Sequence, residues 1–534
     1  MACEFVWLRV SISIALICLR FLLAQLLLES LVGKRSPKAI RSVFQSLRRE
    51  ANANNNSSTN IIDTQYTLAM ERIEGQIGDQ CLLGKQVLAW ITCAKRSLKP
   101  SELQCALAVE IGSSEFDEEN LPDVDDMVSA CAGLVTIDPV SDIVRLVHYT
   151  TQEFFERTWR RWFPSANDDM TNICVTYLSY DVFAAKDGDA LKREIEGHVL
   201  YDYAARNWGY HAQGGAGNCS MIMEFLQDNS KVKASMNKFK RIRSLSALNL
   251  AVIFNLDEFV VRLLSVGHSV DGRVWAAFPN RVFGGRYRTP LCIAAELGFE
   301  KIAKILLDAG ADPDLPDGGN RSPLWYAASR GEAAVVSCLF DQPVDVNRKE
   351  NEYGETPLMA AVSRDRIEAV KLLVTHPQVD VNSAYVYGSF SDTSLTVAVQ
   401  KGNTEIVKIL LEQPRLNVNA EPVFNRTALR CAVDKRHQEV VKMLLQRKDL
   451  QLELPWTSFQ NTPLWTAVRR KDLGIVKLLM EDPRMNPRTA KRTASDQELK
   501  LAHHAQEGST VAQEMLKLLE AGPKVNRDFK PTSP

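Results

Sequence analysis

The chain has 534 residues, 64 Lys and Arg against 65 Asp and Glu, and 45% hydrophobic residues. Such a length holds several domains, and near-neutral charge supplies no global pull toward nucleic acid or an acidic membrane. Its 11 cysteines are scattered with no C-x-x-C pair, a pattern that fits buried thiols in a reducing, cytoplasmic setting better than a disulfide framework or a zinc site.

Residues 5–28 are mostly apolar and about long enough to span a bilayer, with Lys34, Arg35, Lys38 and Arg41 following as a cytoplasmic flank would. Arg9 and Arg20 interrupt the run, and a charged side chain is costly at membrane depth. Two readings stay open, a buried core helix and a membrane anchor; any membrane contact would have to use residues 5–28. Gly33-Lys34-Arg35-Ser36 is not a phosphate loop, because Leu28 stands where the first Gly is needed and Arg35 where Ser or Thr must follow Lys. The stretch from Phe21 to Leu26, Glu29 to Leu31 and Gly33 to Ile40 resembles the last helices of a fungal-type NACHT module. That resemblance implies that residues 1–60 are an apolar helix and a polar, Asn-rich linker left from the end of such a module.

Between 61 and 158 the pattern predicts a leading helix, then three helices and a hairpin. Leu68, Met70, Ile73 and Ile77 mark one helix, Val87, Leu88 and Ile91 a second, and Pro100-Ser101-Glu102 opens a third. A further helix spans Leu121 to Ala132 and stops at Gly133. Two β-rich runs, Leu134 to Ile137 and Ile143 to Val147, then flank the turn Asp138 to Asp142. The order is that of a winged helix, and the residues Gly84 to Ile91, Ser101 to Leu103, Ala132 to Val135 and Arg145 to Phe155 resemble the winged helix that follows NACHT modules and carries the name of GPI inositol-deacylase. The name confers no reaction, since no G-x-S-x-G elbow is present. Asp123, Asp125 and Asp126 would repel phosphates from the helix that enters a DNA groove, so nucleic acid is not an expected partner. His148 reads as a cap at the corner between hairpin and helix.

Residues 159–243 continue as a helical linker in which Tyr201, Tyr203 and Trp208 are core aromatics and Lys231 to Arg243 is a basic helix. From 244 to 534 a phrase recurs: Thr289-Pro290-Leu291, Ser322-Pro323-Leu324, Thr356-Pro357-Leu358, Thr393-Ser394-Leu395, Thr427-Ala428-Leu429 and Thr462-Pro463-Leu464, at spacings of 33, 34, 37, 34 and 35. Small pairs such as Ala294-Ala295 follow each phrase, then stop signals at Gly298, Gly331 and Gly402, then Leu pairs from Leu306-Leu307 to Leu478-Leu479. The segment resembles ankyrin repeats, about seven to eight units with worn ends. Cys292, Trp325, Met359, Thr396, Arg430 and Trp465 stand where that family carries His, so apolar contacts are expected to replace its inter-repeat bonding.

The expected fold class is therefore mainly α, a winged-helix and helical linker region followed by an ankyrin-repeat solenoid. One two-helix unit cannot enclose a core, so the Leu pairs must be buried against neighbouring units. Turn tips then remain for recognition: Arg286, Tyr287, Asn320, Arg321, Tyr353, Tyr387, Phe390, Phe424, Asn425, Phe459 and Gln460, a set rich in the aromatic and Arg side chains that concentrate binding energy. The resemblance implies a non-enzymatic scaffold, the sensor half of a NACHT-ankyrin signalling protein, which captures a protein partner through the tips and the concave face. Neither cofactor nor metal is expected.

Overall fold

The computed structural model describes residues 58–184, 195–213, 219–235, 242–243, 246–276, 286–387, 390–420, 427–452, 462–486 and 510–521. The apolar segment 5–28 and the stretch from Phe21 to Ile40 lie outside the described residues. Two compact units emerge, Met1–Ala247 with Phe254–Leu256, and Leu248–Ile253 with Asp257–Pro534.

In the first unit, helices α1 (Ser58–Glu74), α2 (Asp79–Cys93), α3 (Pro100–Ala108) and α4 (Val124–Ser129) precede the antiparallel pair β1 (Val135–Asp138) and β2 (Ile143–Leu146). A bridge from Leu98 to Val144 adds a third strand position, completing a winged helix. Its core is built from Tyr66, Met70, Ile73, Val87, Leu88, Trp90, Leu103, Met127 and Leu134, all nearly inaccessible. Gly84 sits inside α2 because a Cβ there would stand 2.5 Å from the Ala130 carbonyl, so only Gly lets the helix approach the α4 end so closely. Helix α5 (Tyr149–Trp162) follows β2, and His148 caps it: its side chain accepts from the Thr150 amide, while Thr150 Oγ1 lies 2.7 Å from the Tyr66 hydroxyl. Burial depresses the affinity of His148 for a proton, which keeps the imidazole available as an acceptor.

The linker continues with α6 (Ala166–Leu178), α7 (Asp181–Ala184), α8 (Tyr201–His211), α9 (Cys219–Gln227) and α10 (Asn229–Ser235). Tyr201, Tyr203 and Trp208 are wholly buried on α8, as core aromatics should be. The expected basic helix from Lys231 to Arg243 does not run its length: α10 ends at Ser235, and Ile242–Arg243 is extended.

The second unit opens with α11 (Ala247–Ile253) and α12 (Asp257–Ser265), then repeats a helix pair: α13 (Pro290–Leu297) with α14 (Glu300–Asp308), α15 (Pro323–Arg330) with α16 (Ala333–Phe340), α17 (Pro357–Ser363) with α18 (Ile367–Thr375), α19 (Ser394–Lys401) with α20 (Thr404–Leu411), α21 (Ala428–Asp434) with α22 (Gln438–Leu445), and α23 (Pro463–Arg469) with α24 (Leu473–Glu481). Helix α25 (Thr510–Ala521) is the last described. First helices pack on first helices and second on second, in two parallel rows. In all six units from α13 to α23 the Thr or Ser of the opening phrase accepts a hydrogen bond from the amide three residues on, satisfying one orphan N–H of the helix start. Each Leu pair divides: Leu306, Leu373, Leu410, Leu444 and Leu479 are sealed, whereas Leu307, Leu372, Leu411, Leu445 and Leu478 are half-buried, because adjacent positions on a helix cannot face the same neighbour.

Two polar ladders join the repeats. Asn347 accepts from the Asp380 amide and donates to the Gln378 carbonyl, both at 2.7 Å; Asn382 does the same to Asn417 and Arg415, and Asn419 to Gln451 and Asp449. Arginines one repeat further on close the ends of second helices. Arg415 donates to the Val374, His376 and Pro377 carbonyls, Arg447 to those of Leu411 and Gln413, and Arg484 to those of Leu445 and Arg447. A cation at these carbonyls also opposes the negative end of the helix dipole.

Candidate partner-binding surface

The connections between successive helix pairs form fingers. The first pairs Val274–Ala276 with Arg286–Arg288, setting Trp275 opposite Tyr287, and another pairs Ala384–Tyr387 with Phe390–Thr393, closing on Tyr387 opposite Phe390. Of the eleven tip residues expected to meet a partner, the structure presents Tyr287 (53% exposed) and Tyr353 (37%) to solvent. The Tyr353 hydroxyl donates to Glu352 at 2.9 Å. Arg286, Tyr387 and Phe390 have their backbone in strands, and their side chains lie outside the described residues, as do Phe424, Asn425, Phe459 and Gln460 entirely.

Asn320 and Arg321 take up structural work. Asn320 adopts φ 61 and its amide donates to the Lys349 carbonyl at 2.7 Å, fastening one finger to the next. Arg321 is only 5% exposed, which removes it from the surface set. Its guanidinium lies 4.6 Å from the Trp325 ring centre, 3.3 Å from Glu352 and 3.7 Å from Glu350. The reason lies in the turn: Asp317 accepts from the Gly319 and Arg321 amides and curls the tip so that the Arg side chain folds beneath it.

Beneath the fingers runs a buried charged network absent from the sequence expectations. Glu296, 2% exposed, joins Arg288 at 2.5 Å and Arg330 of the next repeat at 2.6 Å. Arg288 also lies over Tyr326, whose hydroxyl donates to Asp317 at 2.7 Å. Burial pushes that hydroxyl well above the usual phenol range, keeping it a donor. Arg364 continues the chain, 5.1 Å from the Trp325 centre and 3.0 Å from Glu355. Cys292, Trp325 and Met359 are almost inaccessible, as an apolar replacement of the family His requires; Thr396 is as buried but its hydroxyl bonds to the Thr393 backbone, and Arg430 and Trp465 are only partly covered. A signal was available: with repeats aligned on the Thr, Arg288 stands one residue before it and Glu296 seven after, positions that Asp392 and Gln400 also occupy and bridge at 2.8 Å.

Chemically, these groups hold a surface rather than activate a nucleophile. Burial raises four of the described thiols far from easy ionisation, Cys93 and Cys105 to about 11 and Cys131 and Cys292 to about 12. Among the described residues no cluster of His, Cys, Asp or Glu could hold a metal ion, and no helix is long and apolar enough to cross a membrane.

Comparison with known families agrees with this architecture. The winged-helix domain of GPI inositol-deacylase matches residues 71–161, and ankyrin-repeat models match 286–318, 316–385 and 379–455. The chain thus carries a winged helix of the GPI inositol-deacylase type followed by ankyrin repeats. Rabankyrin-5 of Mus musculus is 30% identical over 129 residues, a match covering 22% of this chain and 11% of that protein. The NF-kappa-B inhibitor delta of Mus musculus is 37% identical over 76 residues, or 14% of this chain and 23% of the relative. Among solved structures, the ankyrin repeat domain of Bcl-3, a member of the IkappaB family, aligns over 44% of this chain and 98% of its own at 23% identity and a TM-score of 0.37. The matched segment is therefore a small part of these curated relatives. Ankyrin repeats and their relatives support a protein–protein interaction scaffold.

Proposed function

We propose that this chain is a non-enzymatic scaffold that captures a protein partner through its ankyrin fingers and concave face, as the sensor or regulatory half of a NACHT-ankyrin signalling protein in the cytoplasm. The observation that carries the reading is the division of labour along each repeat. One leucine of each pair and the buried ion pairs serve the stack, while Tyr287 and Tyr353 stand exposed on the fingers. Exposed aromatic side chains on a rigid support lose little entropy on binding and supply large contact area. Family order supports the signalling context, since the winged helix at 71–161 precedes the repeats, which begin by 286.

Proximity labelling in cells with the full chain and with a Y287A/Y353A variant tests the proposal. The variant loses most labelled partners and keeps its melting temperature. Unchanged labelling, or parallel loss of labelling and stability, contradicts it. Carbonate-resistant membrane association that vanishes on deleting residues 1–30 would replace the cytoplasmic setting with a tethered one.

A further inference from the structure

The first helices of the stack end in equivalent turns, and the residue nine after the opening Thr or Ser adopts a left-handed backbone in every described unit from α13 to α23: Gly298, Gly331, Asp365, Gly402, Arg436 and Lys471, with φ between 56 and 86. Gly suits this conformation and long side chains do not. At Gly331 and Gly402 the absence of a Cβ also admits the next repeat, since a Cβ would stand 2.9 Å from Arg366 Cδ or 2.7 Å from the His437 ring. Arg436 and Lys471 therefore occupy positions where the fold itself prefers Gly.

The charge census points the same way. A cation one residue earlier is explained by structure: Arg330 pairs with Glu296, Arg364 with Glu355, Lys401 with Asp365 and Arg470 with Asp434, each at the negative end of a first helix. The last two turns carry a surplus. Lys435, Arg436, Arg469, Arg470 and Lys471 are all exposed, and among them on these two helices and turns stand only Asp434, already paired to Arg470, and Asp472, buried as the cap of α24. The two turns adjoin, because Arg436 Nη2 donates to the Arg470 carbonyl at 2.6 Å. Arg469 lies 5.0 Å from the centre of the partly exposed Trp465 ring, so an apolar platform borders the cations. Left-handed backbone that carries long cationic side chains at a surface points to a site, even though Arg436 also ties its turn to the next repeat.

We propose that the helix-to-helix turns of the last two of these units, Lys435-Arg436 and Arg469-Arg470-Lys471, form a docking site for an extended acidic segment of a partner protein. The inference rests on the scaffold reading above and names the partner's chemistry. Arginine offers paired donors that match a carboxylate, and adjacent turns present them to successive side chains of one extended strand. A net charge of −1 for the whole chain leaves no broad positive field for a polyanion such as nucleic acid or a membrane, so attraction is local.

The test uses the full chain and a fluorescent twelve-residue peptide of alternating Glu and Asp with Leu at two positions, read by anisotropy. Binding should weaken as salt rises, vanish for the Gln and Asn counterpart peptide, and fall about tenfold or more in an R436Q/R469Q/K471Q variant, the sum of three modest surface ion pairs. An equal charge change at Lys408, Lys442 and Lys477 on the second helices should leave Kd within about twofold by the same reasoning. A K471G variant should melt higher than the wild type while binding the peptide less well, which separates docking from folding. Equal loss in both triple variants, equal affinity for the amide peptide, or preferential binding of a twelve-nucleotide single strand or of phosphatidylserine vesicles overturns the proposal. If the peptide fails while Y287A/Y353A still loses its labelled partners, the acidic site falls and the scaffold stands.

Discussion

The two units hold themselves together over different distances along the chain. In the winged-helix unit Tyr66 meets Thr150 across 84 residues, and the Lys95 amide donates to the Tyr203 hydroxyl across 108. In the repeat array the turn-to-turn bonds recur at separations of 31, 33 and 35 residues, one repeat each. A core assembled from distant segments is lost as a whole, whereas a stack of neighbour contacts opens where it is damaged. Such an array can vary its tips and turns repeat by repeat without disturbing the remainder, which suits a recognition surface.

The largest expected effect attacks the first unit. Trp208 is fully buried against Phe225 and Phe254, at ring separations of 5.3 and 5.1 Å. Trp208→Ala should cost about 3–5 kcal/mol, with denaturant melts of the residues 58–235 region shifting together. In the array, Glu296→Gln removes the carboxylate shared by Arg288 and Arg330 and should cost about 3 kcal/mol, since the buried Arg288 and the partly covered Arg330 then face an amide. Hydrogen exchange should report that loss around α13 and α15 while α23 and α24 keep their protection.

A smaller effect separates the units by pH. His211 is fully buried on α8 between the Tyr203 hydroxyl and the Asn167 amide oxygen, at 2.8 and 3.1 Å, and burial lowers its proton affinity to about 3. A depressed native value means the neutral form is the folded one. Stability is complete above the ordinary histidine value near 6.5 and declines as pH falls from there toward 3, by about 1.4 kcal/mol per unit. At pH 5 the first unit should be weaker by about 2 kcal/mol for this group, and a His211→Gln variant should flatten that slope.

The smallest effect sharpens the comparison within the array. Asp271 and Asp314 stand where Asn347, Asn382 and Asn419 stand in later repeats; each accepts the next turn's amide, but its Oδ1 is buried with no hydrogen-bond partner among the described residues. Burial raises both carboxyls above the usual range, although Arg273 and Arg348 pull the other way. A raised native value contributes stability below the ordinary carboxylate range and loses it as pH rises through the elevated value. Asp314→Asn supplies the missing donor and should stabilise the array by about 1 kcal/mol at neutral pH, with less gain in acid.

Helix starts and repeat period were legible in the sequence because their cause is local: Thr289 or Ser322 caps the helix it precedes, and Gly298 ends it. The winged helix was legible through its order of elements. Contacts that depend on the neighbouring repeat were not. Leu307 and Leu306 are indistinguishable as letters, yet only Leu306 is sealed from solvent. Arg321 reads as a tip until Asp317 is seen to curl the loop over it, and Glu296 reads as a surface residue until Arg330 arrives from the following repeat. Aligning the turns Asp345-Val346-Asn347, Asp380-Val381-Asn382 and Asn417-Val418-Asn419 would have exposed the Asn ladder, since its three members close the same short phrase.

Hydrogen–deuterium exchange of the full chain carrying Leu373→Ala tests the central claim most directly, because Leu373 is inaccessible in the middle of the stack and its truncation should cost about 2–5 kcal/mol. Neighbour-only stacking predicts faster exchange in α17 and α18 and in the helix pairs on either side, with α8 of the first unit unchanged. Equal acceleration in α8, or exchange unaffected in the adjoining repeats, would contradict it.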